Sequence, residues 1–352
     1  MGWVIFIVKA DERRATVCWA GENNGFVIGV KKKEDGMLEP VKIGISSCLL
    51  GSNVRYDGGH SHDRFLTQTL GLFAEYVSVC PEVECGMPIP REAVRLVGDP
   101  ENPRLVTQKT GVDKTDQMKN WIKGRLKELA GEDLCGFIFK SKSPSSGLYR
   151  IKVYGDDGSV RKNGTGLFAK AFTEAFPRIP VEEAGRLHDP KLRENFIENI
   201  FSLQRWRQLC SQNRTLGGLV EFHTQNKLLI LSHNQDIYRK MGKLVAQGKQ
   251  SDPDALFDNY ESLLLKALSL QTTLKKNINV LHHIMGYFKK NLTGDEKQEL
   301  LSVIDQYGAG YVPLIVPITL IRHYTMKYDQ PWLKVQTYLN PHPFELKLRN
   351  YF

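Results

Sequence analysis

Short apolar runs and amphipathic stretches alternate along the first half of the chain. Runs typical of buried strands occur at 41–47, 76–80 and 135–140. The clearest helical stretch is Asp113–Ala130, where apolar residues recur at steps of three and four positions: Met118, Trp121, Ile122, Leu126 and Leu129. Strands that alternate with helices are typical of βαβ units. Residues 41–180 are therefore predicted to form an α/β domain, a mainly parallel sheet with flanking helices in a Rossmann-like three-layer arrangement.

Strand-like patterning largely stops near Pro177, Pro180 and Pro190, and helical periodicity follows. Four stretches show it: Leu219–Leu231, Leu256–Leu270, Ile278–Phe288 and Asp295–Tyr307. The pattern predicts a separate all-α domain at 205–352, reached through a linker or helix at 181–204. Residues 1–40 form an N-terminal extension whose order the pattern leaves open.

Composition and charge favour a globular protein with an uneven basic surface. Hydrophobic residues make up 41% and charged residues 25%, and no apolar run is long enough to span a bilayer. Six unevenly spaced cysteines without a secretion signal indicate reduced thiols and a cytoplasmic protein. Residues 204–352 carry 19 Lys and Arg against 12 Asp and Glu, so an RNA or another polyanion is a candidate partner of the helical domain. An ordinary basic helical surface is the alternative.

Two thiols and a serine-rich turn follow the three strand-like runs. Cys48 and Cys80 come directly after the first two, and Ser143-Pro-Ser-Ser146 follows the third. The carboxyl ends of parallel strands meet at one edge of a sheet, where α/β proteins bind ligands. Soft thiolates select zinc, copper(I) or iron–sulfur clusters, so this edge is a candidate metal pocket. The alternative, that a thiol is a small buried hydrophobic group, is favoured for Cys18, Cys135 and Cys210.

Five short motifs stand out in the first half of the chain: Ser46-Ser-Cys-Leu-Leu-Gly, Val54-Arg-Tyr-Asp-Gly-Gly, Cys80-Pro-Glu-Val, Ser143-Pro-Ser and Gly164-Thr-Gly-Leu-Phe-Ala169. Together they resemble the thiouracil desulfidase family. The resemblance covers about 41–180. Residues 205–352 resemble the YbgA-type helical domain, of unknown function, through the segments that begin at Phe222, Leu281 and Tyr338.

The resemblance implies a [4Fe-4S] cluster held by three cysteines, with one open iron that binds the sulfur of a thiolated pyrimidine. Cys48 and Cys80 match two of the ligands. The third commonly lies in a Ser-Pro-Ser-Cys-Gly turn, and here that position is Ser146. We hypothesise that Cys85, on the loop after Cys80, replaces the missing ligand; ligation by the Ser146 oxygen and loss of the cluster are the alternatives.

Desulfidation also requires proton transfer and substrate orientation. Glu82, two residues from Cys80, is the candidate acid–base group, and Ser143 and Ser145 are candidates to orient water or the base. The alternatives are that Glu82 caps a turn and that the serines only form a proline-containing turn.

Arg55, Asp57, Arg91 and Ser146 are expected to bind the substrate; for Arg55 and Asp57 an ion pair within their own loop is the alternative. Gly164-Thr-Gly166 before a helix indicates either an anion site or close packing.

The predicted activity is therefore non-redox hydrolysis of a C–S bond in thiouracil, a thiolated nucleoside or a thiolated tRNA base, releasing sulfide. The competing interpretations are an RNA- or protein-binding module with a structural metal site, and a family member that has lost the cluster.

Overall fold

The computed structural model describes Phe6–Val8, Thr16–Ala20, Phe26–Val30, residues 39–155 and residues 157–351. The chain divides into two compact units, Met1–His188 and Asp189–Phe352. The first unit contains eleven described strands: β1 Phe6–Val8, β2 Thr16–Ala20, β3 Phe26–Val30, β4 Val41–Ser46, β5 Ala74–Val79, β6 Val94–Val97, β7 Arg104–Thr107, β8 Gly136–Phe139, β9 Ile151–Tyr154, β10 Val160–Gly164 and β11 Val181–Glu183. Its described α-helices are α1 Pro81–Glu84, α2 Thr115–Ala130 and α3 Leu167–Ala175.

The central sheet has the strand order β11-β8-β4-β5, and every pairing in it is parallel. Each residue of β8, and all but one of β4, is buried, as expected for strands covered on both faces. The predicted α/β fold with a mainly parallel sheet is therefore confirmed. The carboxyl ends of β8, β4 and β5 lie side by side.

A second sheet, which the sequence pattern did not predict, has the order β10-β9-β6-β7. Two of its three pairings are antiparallel. Its strands have only four or five residues, and four of the five residues of β10 are exposed, so they lack the apolar runs by which buried strands are recognised.

The N-terminal extension expected at 1–40 contributes the three-stranded antiparallel sheet β1-β2-β3. Its other positions up to residue 38 lie outside the described residues.

Aromatic side chains fill the core between the central sheet and its helices. Phe137 and Phe139 of β8 stack with centroids 4.2 Å apart, and Phe168 and Phe172 of α3 pack against them. A Cβ at Gly44 would lie 2.2 Å from the Phe137 ring, so only glycine leaves room for that ring on β4. This packing fixes the strands whose ends carry the candidate site residues.

The second unit is helical. Its α-helices are α4 Pro190–Gln212, α5 Leu216–His233, α6 Gln235–Ala246, α7 Pro253–Leu268, α8 Leu274–Tyr287, α9 Gly294–Gly308, α10 Ile315–Lys327 and α11 Pro331–Lys334. The four stretches with helical periodicity correspond to α5, α7, α8 and α9, which confirms the all-α prediction. Helix α4 runs without a break through position 205, where the sequence pattern put the start of the helical domain.

Charged side chains are buried inside the helical unit. Arg349 donates to Glu194 at 3.1 Å and to Glu198 at 2.6 Å, and His233 Nε2 lies 3.2 Å from the second oxygen of Glu198. All four side chains are at most 6% exposed. Breaking one of these pairs would leave an unpaired charge in the protein interior, which is strongly destabilising. The contacts therefore hold α4 and α5 to the segment after α11. No helix in the described part of the chain is long and apolar enough to cross a membrane.

Candidate active site

A cavity of about 340 Å³ lies at the carboxyl ends of β4, β5 and β8. Four segments form its wall: 46–48, 54–56, 79–82 with Arg91, and 140–146. Parallel pairing of the three strands brings these segments together although they are far apart in the chain. The edge of the sheet predicted from the sequence therefore carries a cavity of ligand size.

Two thiols line this cavity. Cys48 is the second residue of the short turn of 3-10 helix that follows β4, and Cys80 is the N-cap residue of α1 after β5. Burial raises the pKa of the Cys80 thiol to about 12. It also raises the pKa of Cys48, against the opposing effect of nearby Lys140 and Arg55. Both thiols are therefore protonated at neutral pH unless a metal displaces the proton.

Cys85 lies at the far end of α1 and is not among the residues that line the cavity. Its Sγ donates to the Glu82 carbonyl at 3.2 Å, its own carbonyl accepts from Gln117 of α2, and its side chain packs against the core. Ser146, by contrast, is 4% exposed and lines the cavity together with Cys48 and Cys80. In the described residues no group of three or more His, Cys, Asp or Glu side chains is arranged to hold a metal ion.

Glu82 lies at the centre of a hydrogen-bonded network in the cavity wall. Its Oε2 accepts from Arg91 Nη2 at 2.6 Å and from Nε at 3.1 Å. Its Oε1 accepts from the Ser145 hydroxyl at 2.8 Å, and Ser145 Oγ lies 3.0 Å from Ser143 Oγ. The predicted acid–base group and both predicted serines are thus in one chain of contacts that ends at the cavity.

Backbone hydrogen bonds from the start of α3 hold the serine turn. The amides of Leu167 and Phe168 donate to the carbonyls of Pro144 and Ser145 at 3.3 and 2.9 Å. A Cβ at Gly166 would lie 2.6 Å from the Ser145 carbonyl carbon. These helix amides are therefore committed to the turn, and of the two roles considered for Gly164-Thr-Gly166 the structure supports close packing.

Arg55 lines the cavity, whereas Asp57 supports it from outside. Arg55 donates to both carboxylate oxygens of Asp57, at 3.3 and 3.2 Å, and to Ser61 at 2.9 Å. The Arg55 hydrogen bonds, with one from the Gly59 amide, lower the pKa of Asp57. Asp57 thus orients Arg55 and does not itself line the cavity.

The lining residues that were not predicted as site residues include Tyr56, Lys140 and Lys142. The two lysines flank Ser141 directly after β8, so their position behind a predicted strand was the available signal. The Lys140 amide donates to Ser46 Oγ at 2.9 Å, which joins the ends of β4 and β8. With Arg55 they give this wall a positive charge that exceeds the single negative charge of Glu82.

The remaining described cysteines and the buried histidines lie outside this cavity and are packed or hydrogen-bonded elsewhere. Cys135 is 4% exposed, and Cys210 packs against the core of the helical unit. His223 Nδ1 lies 3.2 Å from the Tyr260 hydroxyl. His233 has the Leu270 carbonyl and Glu198 as partners. Cys18 belongs to β2, and its side chain lies outside the described part of the chain.

Fold and cavity define a class: an α/β unit with a thiol-lined pocket at the carboxyl edge of its parallel sheet, followed by a helical unit. The model of the family described as 2-thiouracil desulfurase matches residues 43–184, and that of a protein of unknown function (DUF1722) matches residues 227–343. The uncharacterized protein YbgA of Escherichia coli (strain K12) is 34% identical over 158 residues, which are 45% of this chain and 94% of that protein.

A solved structure, described as the [4Fe-4S]-dependent thiouracil desulfidase TudS, is 28% identical, with a TM-score of 0.35. The match covers 45% of this chain and 99% of that one. The chain belongs to the family of YbgA, and its first unit carries a 2-thiouracil desulfurase domain, as the sequence motifs indicated.

Proposed function

We propose that the protein is an iron–sulfur-dependent desulfidase that hydrolyses the C–S bond of a thiolated pyrimidine. The observation that carries the proposal is that Cys48, Cys80 and the Glu82–Ser145 pair all line one cavity in a chain of this family. The thiocarbonyl and one water become a carbonyl and hydrogen sulfide, with no net electron transfer.

The donors around the cavity fit an iron–sulfur cluster. We propose Cys48 and Cys80 as two ligands, since thiolates are the usual ligands of such clusters. The third was expected from Cys85. Because Ser146 lines the cavity and Cys85 does not, we propose the Ser146 oxygen as the third ligand. When bound, the cluster would supply an open iron that attracts the substrate sulfur.

The protein's own groups would then move protons and orient the substrate. Glu82 takes a proton from the attacking water and returns one to the departing sulfur or to the ring nitrogen. Ser145 holds Glu82 Oε1, and Ser143 holds Ser145. Arg55, oriented by Asp57, would face an electron-rich edge or a phosphate of the substrate.

We propose a thiolated uracil base as the group that reacts, either as free thiouracil or within a nucleoside or a tRNA. The positive wall formed by Arg55, Lys140 and Lys142 supports a substrate that carries negative charge. The basic excess of the helical unit would suit an RNA substrate, and we propose a cytoplasmic setting, where thiols stay reduced.

Anaerobic purification tests the function. We expect bound iron and acid-labile sulfide, and sulfide release from 2-thiouracil. Cys48→Ser and Cys80→Ser should each lose most of the iron, whereas Cys210→Ser, at a thiol outside the cavity, should keep it. A wild-type protein without iron would instead support a family member that has lost the cluster. Salt-dependent RNA binding without desulfidation would support a binding module.

The third ligand is decided by a pair of variants. If the Ser146 oxygen binds the cluster, Ser146→Ala lowers the iron content and Cys85→Ser leaves it unchanged. If Cys85 binds it, the result is reversed. Ser146→Cys should raise the resistance of the cluster to chelators, since a thiolate binds iron more tightly than an alkoxide does.

A further inference from the structure

Arg91 is the most completely bonded cation in the wall of the cavity. Its side chain is 5% exposed. Besides its two bonds to Glu82, Nη2 donates to the Val54 carbonyl at 2.9 Å and Nη1 donates to the Pro88 carbonyl at 3.3 Å. Its backbone amide donates to the Tyr56 carbonyl at 2.8 Å. Four of the five N–H groups of this guanidinium are therefore already engaged within the protein.

The bonds between Arg91 and Glu82 are directional. Nε and Nη2 both donate to Oε2, so the other oxygen, Oε1, is left to accept from Ser145. A carboxylate side chain held on one side only would rotate about its last bonds. Between a buried guanidinium and a buried hydroxyl, Glu82 has one orientation.

We propose that Arg91 is a positioning residue, which acts through Glu82 by holding its Oε2 so that Oε1 faces Ser145, and that it does not contact the substrate. This inference rests on the proposed function and assigns Arg91 a different role from the substrate contact expected from the sequence. A lysine ammonium lacks the two coplanar donors that both reach Glu82 Oε2, so it should hold this oxygen less firmly.

The conservative variant Arg91→Lys tests the proposal. We expect its iron content and its KM for 2-thiouracil to stay within about threefold of the wild-type values. Its kcat should fall by about 10- to 100-fold, because a misplaced acid–base group loses part of its contribution to the rate. In its crystal structure Glu82 Oε1 should have moved out of hydrogen-bonding distance of Ser145 Oγ. Arg104→Lys is the matched control, since Arg104 pairs with Asp113 on the exposed surface and should leave every quantity unchanged.

A double-mutant cycle gives a second measurement. Glu82→Gln should lower kcat and leave KM unchanged. Adding Arg91→Lys to it should lower kcat no further, because both changes act on one group. The proposal would be overturned if the double variant lowered kcat by the product of the two single effects, or if Arg91→Lys raised KM about tenfold. It would also be overturned if Glu82 kept its position in the crystal structure of Arg91→Lys. Loss of iron in Arg91→Lys would show that Arg91 only holds the loops.

Two further measurements keep this proposal testable, one if Arg91→Lys does not fold and one if the proposed function fails. If Arg91→Lys does not fold, Glu82→Gln alone decides: a substrate-binding Arg91, released from its ion pair, would change KM, whereas a positioning one would not. If the wild-type protein releases no sulfide, the proposed function fails, and the Glu82 to Ser145 separation still reports whether Arg91 orients the carboxylate.

Discussion

At the scale of single residues, the Ser145 hydroxyl connects two parts of the cavity wall. It donates to Glu82 Oε1 and lies within hydrogen-bonding distance of Ser143 Oγ, while the Ser145 backbone carbonyl accepts from the first turn of α3. The side chain can therefore be changed without breaking the bonds that hold the turn. This separation makes Ser145 an informative position for testing the proposed acid–base role of Glu82.

Ser145→Ala should lower kcat by about 10- to 100-fold with the iron content unchanged. The variant leaves Glu82 Oε1 without its hydrogen-bond donor, and an unpaired buried acceptor reorients or recruits water. Steady-state sulfide release and iron analysis measure the two effects. Ser211→Ala, at an exposed hydroxyl of α4, is the control, and full activity of Ser145→Ala would contradict the role given to this serine.

A second prediction at this scale concerns His223 in the helical unit. Burial, followed by the charge of Lys227, lowers the pKa of His223 to about 4. In the unfolded chain the imidazole takes up its proton near pH 6.5. The unfolded state therefore gains protons first as the pH falls, so the free energy of unfolding decreases between pH 6.5 and 4.

The expected loss from His223 between pH 7.5 and 5 is about 1–2 kcal/mol. Urea unfolding at several pH values, followed by tryptophan fluorescence, measures it. His223→Gln should show a shallower pH dependence than the wild type, whereas His283→Gln, at an exposed position of α8, should match the wild type. Equal slopes for His223→Gln and the wild type would show that another group titrates.

At the scale of elements, the contact between α3 and the serine turn depends on the absence of a side chain at Gly166. Gly166→Ala should destabilise the first unit by about 1–3 kcal/mol, because its methyl group would overlap the Ser145 backbone. Displacement of the turn should also lower kcat. Gly124→Ala in α2, with no atom near the added methyl group, should instead stabilise by roughly 0.5–1 kcal/mol. Thermal unfolding compares them, and equal effects would contradict the packing argument.

Elements with strong local signals could be predicted from the sequence, whereas those decided by packing could not. Strand β8 and helix α2 have apolar patterns that match their burial, so both were predicted close to their observed bounds. The short strands of the second sheet have no such pattern. The orientation of Cys85 depends on the turn of α1 and on Gln117, and neither can be inferred from the spacing of cysteines. The same holds for the engagement of Arg91 by Glu82.

At the scale of the whole molecule, the boundary between the units decides which fragment of the helical unit should fold by itself. A fragment of residues 189–352 should fold cooperatively, whereas one of residues 205–352 should not. The shorter fragment removes Glu194 and Glu198 and leaves Arg349 buried without its carboxylate partners, at a cost of about 3–5 kcal/mol. Circular dichroism and urea unfolding distinguish the two, and equal stabilities would contradict the importance of this network.

The serine turn has a consequence for how this family can change. The backbone at 144–147 is held by amides and carbonyls of its own turn and of α3, and by the Ser143 hydroxyl, which accepts from the Ser145 and Ser146 amides; none of those bonds uses the side-chain oxygen of Ser146. A single codon change can therefore exchange the side-chain oxygen at position 146, the proposed third ligand, for sulfur without altering the bonds that hold the turn. A protein with such a corner can vary its chemistry over evolutionary time while its architecture stays constant.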